Sequence, residues 1–332
     1  MSQPSVSILI PMKNAESFIE ECVDSIVNQT FKDWELIVVD DHSDDNSYNI
    51  LLNYSHKDQR IQILKNEGKG IIQALQKAYG ASSGRYITRM DADDIMKLDK
   101  LDLMFCALKE EGRGFVAVGL VEYFSAVGVG NGYLQYAEWL NSLTLSASNF
   151  SDIYKECSIP SPCWMIHRDD FDMCGGFDSE VYPEDYDLAF RFRKMGFKIA
   201  PVKKVIHLWR DYPTRTSRTD EHYTDNRFLE LKVHHFLEQD YDTDLPLVIW
   251  GAGHRGKKIA RLLGEKDVTF EWFCDNPKKI GREIYGTYLQ ELSKLFLKEK
   301  VQVMVSISSF HKPEMIQTLI LENGQHGYFR FS

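Results

Sequence analysis

The sequence predicts an α/β protein with a mostly parallel central sheet, followed by a second, smaller α/β domain. Three observations carry that expectation. Short apolar runs over 6–10, 34–39, 60–64 and 86–90 alternate with segments whose apolar residues recur at helical spacing. Each run is apolar nearly throughout, as strands covered on both faces are. Near residue 245, after the acidic stretch Asp240-Tyr241-Asp242-Thr243-Asp244, the order strand, glycine turn, helix begins again.

The first strand, 6–10, is followed by Phe18, Ile19, Cys22, Val23, Ile26 and Val27, the apolar stripe of a helix. The second strand ends in Asp40-Asp41, and residues 43–46 supply N-cap types for a helix carrying Tyr48, Ile50, Leu51 and Leu52. After the third strand come Gly68-Lys69-Gly70 and a helix with Ile71, Ile72, Leu75 and Ala78; the fourth strand ends at Met90. A helix over 98–111 and a strand over 115–124 follow. Residues 128–170 mix Gly, Ser and aromatics with Pro160-Ser161-Pro162 and read as a substrate-facing segment. A helix over 187–197 is opened by Pro183-Glu184-Asp185 and stopped at Gly196. An Arg-rich stretch over 210–227 and a helix over 228–238 lead to strands at 247–250, 269–274 and 301–307, with a helix over 257–263 between the first two. The expected boundaries are 1–225 for the larger domain, 226–244 for a helical linker and 245–332 for the smaller domain.

A length of 332 residues suits two domains. With 43% hydrophobic and 27% charged residues, the chain can bury cores of its own. A net charge of -10 argues against a nucleic-acid partner, because non-specific binding needs a basic face to displace counterions. Six cysteines show no CxxC pair or zinc spacing and read as reduced core thiols. Residues 1–4 carry no leader pattern, and no apolar run reaches the ~18 residues that span a bilayer. The expected location is therefore cytoplasmic; peripheral association with the inner face of a membrane is left open.

In parallel sheets ligands bind beyond the carboxyl ends of the strands. The loops after Ile10, Val39, Leu64 and Met90 should therefore share one crevice. The sharpest signal there is Asp91-Ala92-Asp93-Asp94, three carboxylates in four residues. Such crowding repels unless a cation neutralises it, and a hard divalent ion, Mn²⁺ or Mg²⁺, held against a diphosphate is the natural partner. A solvated acidic turn capping the next helix would look the same. Lys69, between two glycines, sits where a turn can aim N–H groups and an ammonium at a phosphate, or is simply a solvated turn. Residues 207–218 bring Arg210, Arg215 and Arg218 together with Trp209 and Tyr212. They suit bidentate contacts to phosphate or sugar acid and stacking on a sugar, as in a closing lid, or they form a basic surface loop. His207 is a candidate for a further metal ligand.

Across roughly its first 220 residues the chain resembles family 2 of the GT-A glycosyltransferases. The resemblance rests on Ser7-Ile8-Leu9-Ile10-Pro11-Met12-Lys13-Asn14-Ala15-Glu16, Glu35-Leu36-Ile37-Val38-Val39-Asp40-Asp41-His42-Ser43, Gly84-Arg85-Tyr86-Ile87-Thr88-Arg89-Met90-Asp91-Ala92-Asp93-Asp94, Gly175-Gly176-Phe177 and Glu184-Asp185-Tyr186-Asp187-Leu188. It implies the GT-A (nucleotide-diphospho-sugar transferase) fold and an inverting transfer from a nucleotide-sugar donor, expected to be a UDP-sugar. The acceptor it implies is a saccharide or lipid-linked saccharide of cell-surface polysaccharide assembly. Carried over, it places Pro11, Asn14, Glu16 and Asp41 near the donor base and ribose, with Asp41 accepting from a pyrimidine N–H. Lys69 is then turned to the phosphates and Ala92 lies along the donor. Asp93 is the metal ligand, and Asp91 reaches the ribose or, through water, the ion. Asp185 is the general base with Glu184 orienting it, although acids at a helix start also answer the helix dipole. The family's commonest pattern over 207–218 is not reproduced.

Gly251-Ala252-Gly253-His254-Arg255-Gly256 follows a strand and opens a helix, with Asp275 at the end of the next strand. That is the context of a dinucleotide fingerprint. The domain resembles the small Rossmann-like modules appended to sugar-processing enzymes. A nucleotide or dinucleotide held by Gly251, Gly253, Gly256 and Asp275 stands beside a scaffolding role or a homodimer. Two other readings of the whole chain remain. A nucleotidyltransferase on a sugar phosphate would need a Gly/Arg/Lys-rich loop where this chain has Pro11-Met12-Lys13-Asn14. A non-catalytic nucleotide-sensing assembly subunit would have the C-terminal module as its working part.

Overall fold

The structure, a computed structural model, describes residues 3–215, 218, 228–307 and 327–331. It divides into two compact units, Met1–Ser151 with Cys157–Arg215, and Asp152–Glu156 with Thr216–Ser332.

In the first unit the chain runs β1 (Val6–Met12), α1 (Ile19–Val27), β2 (Trp34–Asp40), α2 (Ser47–Ser55), β3 (Ile61–Lys65), α3 (Ile71–Ala81), β4 (Tyr86–Arg89), β5 (Ile95–Met96), α4 (Lys100–Glu111), β6 (Phe115–Phe124), α5 (Asn131–Leu145), β7 (Trp164–His167), α6 (Arg168–Met173), α7 (Glu184–Lys194) and β8 (Lys198–Arg210). The strands form one sheet in the order β3-β2-β1-β4-β7-β6-β8-β5. The first four are parallel, β7 and β5 run against their neighbours, and β6 with β8 is parallel again. Ile8, Leu9, Ile10, Leu36, Ile37, Val38 and Val39 are all buried, which is why these strands are apolar at consecutive positions. Register brings Met12 beside Asp40, and the Met90 N–H donates to the Leu9 carbonyl. The carboxyl ends of β1, β2 and β4 therefore meet in one place.

Several elements depart from the sequence expectation, α5, β8 and β5 among them. The segment over 128–170 contains α5, whose Ala137, Leu140 and Leu143 are buried; Gly128, Gly130 and Gly132 just before or within it mask its start as loop. β8 was not anticipated, because Pro201, Lys203 and Lys204 interrupt its apolar pattern; its register against β6 shifts at Gly119 and Leu120. The short β5 was also unforeseen, and pairs antiparallel with Leu208 and His207 of β8.

The second unit runs α8 (Leu229–Gln239), β9 (Leu247–Trp250), α9 (His254–Gly264), β10 (Glu271–Cys274), β11 (Glu283–Ile284), β12 (Thr287–Glu291), β13 (Gln302–Val305) and β14 (Gly327–Arg330). Its sheet has the order β11-β12-β10-β9-β13-β14, parallel except for β11. The helix expected within the linker over 226–244 is part of this unit: α8 packs on α9, and Lys258 pairs with Glu230 at 3.4 Å. The packing boundary falls after Arg215, earlier than the expected 225. Tyr154, from the short stretch 152–156, stacks on Phe331 at 5.2 Å.

Two glycines close the turn between β9 and α9. Gly251 has φ +117, and a Cβ on Gly256 would stand 2.1 Å from the Gly251 carbonyl oxygen. Gly256→Ala is therefore expected to lower stability by about 1–3 kcal/mol, read by urea denaturation. Gly264→Ala, at the end of the same helix with nothing within 4 Å, should be neutral or stabilising.

Candidate active site

The loops after β1 and β2 are stitched together by side chains. The Asn14 N–H donates to Ser43 Oγ at 2.9 Å, and the Asp44 N–H donates to Asn14 Oδ1 at 3.0 Å. The Ala15 N–H donates to Ser47 Oγ at 2.8 Å, the Glu16 N–H to Asp45 at 3.0 Å, and the Asn46 N–H to Glu16 Oε2 at 3.1 Å. These bonds hold Asn14 at φ +49 and tie Asn14 and Glu16 to the loop after β2, while Pro11 pairs with Val39 and the Asp41 N–H donates to the Met12 carbonyl. Asp41 is nearly buried, and its carboxylate accepts from Asn66 Nδ2 at 2.7 Å and from the Gly70 N–H at 2.9 and 3.0 Å. It thus ties the Lys69 turn to the end of β2; Lys69 itself is exposed.

Beyond β4 the acidic loop is assembled around charge. Arg89, buried in the strand, pairs with Asp91 at 3.0 Å and with Glu184, at the start of α7, at 2.6 Å. Ala92 turns into the core. Tyr212 donates its hydroxyl to Asp93 at 2.9 Å. Asp94 is fully buried, 3.0 Å from His207 Nε2, and accepts the Arg210 N–H at 2.8 Å. Burial, then the charges of Asp94 and Asp91, push the Asp93 carboxyl up to about 7 against the pull of Arg215 and Tyr212. Burial and Asp91 push Asp94 up to about 8. Burial and Glu184 raise Asp185 to about 7, opposed by Arg89, and its carboxylate accepts the Tyr186 N–H at 2.8 Å.

Carboxylates crowded this closely are a donor set for a hard divalent cation. Asp91 and Asp93 keep some exposure and fit that role, whereas Asp94 is turned inward. His207 does not fit the metal-ligand expectation: it is fully buried, with Nε2 on Asp94 and Nδ1 3.1 Å from Lys100 Nζ. Arg210 and Trp209 are also in the wall and not at a free surface. The Arg210 guanidinium donates to the Asp93 carbonyl at 2.7 Å, lies 4.5 Å from the Phe124 ring and 4.9 Å from the Phe18 ring, and pairs with Glu21. Trp209 stacks on Tyr123, centroids 5.0 Å apart. Arg215 is nearly buried over Trp209 at 5.1 Å, and the acidic loop's charges raise its pKa against burial. Arg218 is exposed; residues 216 and 217 of the expected lid over 207–218 lie outside the described residues, as does 219–227 of the Arg-rich stretch.

Sequence reasoning gave no role to Arg89 or Asn66, and read Tyr212 as an aromatic for stacking on a sugar where the structure puts its hydroxyl on Asp93. Arg89 had a signal: a charge between Thr88 and Met90 inside a buried strand must have a partner. Asn66 had none, because its partner Asp41 is remote in sequence. In the second unit Gly251 and Gly253 lie in the turn before α9 and Gly256 in its first turn, Asp275 is exposed beyond β10, and Lys279 Nζ donates to the Ala252 carbonyl at 2.6 Å.

The family description "Glycosyl transferase family 2" matches residues 7–175. The E. coli UDP-Glc:alpha-D-GlcNAc-diphosphoundecaprenol beta-1,3-glucosyltransferase WfgD is 38% identical over 112 residues, covering 33% of this chain and 44% of the relative. Glycosyltransferase GlyG of Streptococcus pneumoniae is 32% identical over 124 residues, 37% of this chain and 41% of the relative. Each match spans less than half of the relative's length. Among solved structures, S. aureus TarS 1-349 in complex with UDP-GlcNAc has a TM-score of 0.56 at 18% identity, covering 78% of this chain and 71% of that one. The mannosyltransferase PcManGT from Pyrobaculum calidifontis, in complex with GDP-Man and Mn²⁺, has a TM-score of 0.54 at 19% identity, covering 79% and 69%. These likenesses show the fold.

Removing Arg89 strands Glu184 in a buried position. Arg89→Met is expected to cost about 3–5 kcal/mol in urea unfolding, and adding Glu184→Gln should recover part of it. An Arg89→Met variant as stable as the parent would remove this ion pair from any organising role.

Proposed function

Because the chain belongs to glycosyl transferase family 2 and has its GT-A fold, we propose that this glycosyltransferase is metal-dependent and inverting, with a UDP-sugar as donor. The acceptor is a saccharide or lipid-linked saccharide of cell-surface polysaccharide assembly, met in the cytoplasm or at the inner face of the membrane. The observation that carries the reading is the single guanidinium of Arg89 bonded at once to Asp91, at the acidic loop, and to Glu184, beside Asp185. The nucleotide sugars bound in TarS and PcManGT, the Mn²⁺ of the latter, and the lipid-diphosphate acceptor in the name of WfgD support it. No helix among the described residues is long and apolar enough to cross a membrane.

The donor base and ribose lie at the rim formed by Pro11, Asn14, Glu16 and Asp41, with Lys69 exposed on the adjoining turn toward the phosphates. Asp93 and Asp91 would hold Mn²⁺ or Mg²⁺; bound there, the ion supplies positive charge to the departing diphosphate. The Asp185 carboxylate takes the proton of the acceptor hydroxyl as its oxygen bonds to the anomeric carbon, while the bond from that carbon to the diphosphate oxygen breaks. One base, with no nucleophile assigned among the described residues, favours a single displacement with inversion. Burial, with Glu184 fixed beside it by Arg89, makes Asp185 a stronger base than an isolated carboxylate.

Asp185→Asn should keep its fold and lose about 10²–10⁴ in kcat, measured by nucleotide release. Asp93→Ala should lose Mn²⁺-dependent UDP binding by calorimetry. With Asp185 raised to about 7, the base is protonated below that pH; kcat/KM should therefore rise through about pH 7, and this limb should vanish from the residual activity of Asp185→Asn. Full activity in both variants would sink the mechanism.

A further inference from the structure

We propose that Lys100 and His207 are positioning residues for the cation site, acting through Asp94; this rests on reading Asp91 and Asp93 as the cation's donors. Lys100 opens α4 yet is fully buried, and an ammonium is costly to bury unless its protons are used. Two of its contacts are specific: Nζ donates to the Pro162 carbonyl at 2.6 Å and meets His207 Nδ1 at 3.1 Å. An ammonium only donates, so Nδ1 is the acceptor and the imidazole proton sits on Nε2. That proton points at Asp94 Oδ2, 3.0 Å away. The other oxygen, Oδ1, takes the Arg210 N–H at 2.8 Å. Both oxygens of Asp94 are thus fixed by β8, and Asp94 has no orientation left to choose.

The backbone reinforces this. Met96, two residues beyond Asp94, pairs with His207 itself across β5 and β8, and the Lys97 N–H donates to the Ile206 carbonyl at 3.0 Å. At its other end the acidic loop leaves β4, where the Met90 N–H is bonded to the Leu9 carbonyl. The loop is therefore pinned at Met90 and at Asp94, and the separation of the Asp91 and Asp93 carboxylates between those pins is set by it. The same ammonium holds the Pro160 to Cys163 turn, closed by the Cys163 N–H on the Pro160 carbonyl, against that loop. A leucine and a methionine could fill the same volume. What they could not do is impose the imidazole tautomer that orients Asp94.

The test is Mn²⁺ binding in the presence of UDP, by calorimetry, on the full chain. His207→Leu and Lys100→Met should each weaken Mn²⁺ affinity by about 10–100-fold. His207→Gln, whose amide nitrogen can stand where Nε2 does, should recover most of it. His207→Asn, too short to reach Asp94, should not, and this Gln-against-Asn contrast stands if the larger changes impair folding. Wild-type affinity in folded His207→Asn and Lys100→Met overturns the proposal, as does equal weakening by Gln and Asn. Failure of wild-type protein to bind Mn²⁺ with UDP, or binding unchanged in Asp93→Ala, overturns instead the underlying reading of Asp91 and Asp93.

Discussion

Mutual repulsion among Asp91, Asp93 and Asp94 is the constraint around which the first unit is arranged. Three carboxylates at the end of a buried strand cannot all ionise without counter-charge, and each is answered differently. Asp91 takes an ion pair from Arg89, Asp93 a hydroxyl from Tyr212 with Arg215 near, and Asp94 an imidazole and a backbone N–H from β8. Because Arg89 also binds Glu184, 95 residues further on, the charge balance of the acidic loop extends to the first turn of α7. Movement on one side changes the electrostatics of the other, and a cation held at Asp91 and Asp93, as proposed, would be felt at Asp185.

The sheet makes this arrangement inexpensive in entropy. β1, β2 and β4 end side by side in register, so their loops converge without long excursions. Short side chains do the stitching: Ser43, Asp45 and Ser47 accept N–H groups from 14–16 that no strand or helix could satisfy. Asn14, Ala15 and Glu16 are thereby tied to the loop after β2.

What was legible in the sequence follows from how information is written along a chain. Parallel strands buried on both faces produce apolar runs, and helices between them produce a period, so the first hundred residues could be read almost element by element. Asp91 to Asp94 stood out because crowded charge is a local signal. β8 and α5 were opaque for the converse reason: Pro201 and two lysines break the one pattern, and glycines blur the start of the other. His207 shows the harder limit. Its partners are Asp94 and Lys100, 113 and 107 residues away, and in a stretch of arginines and aromatics a histidine looks like a ligand. Only the fold reveals that both its nitrogens face inward.

The glycine turn of the second unit separates fold from function in another way. Its pattern reads as a phosphate-binding fingerprint, yet two of the three glycines are required by packing alone. Gly251 sits at φ +117, and Gly256 leaves no room for a Cβ against the Gly251 carbonyl, which also accepts the Trp272 indole N–H at 2.7 Å. Any chain making this strand-to-helix turn would need them, with or without a nucleotide. Gly253 is different: its φ is -78 and nothing lies within 4 Å of a Cβ there. A fingerprint whose first and last glycines are explained by the turn carries its ligand information, if anywhere, at the middle one.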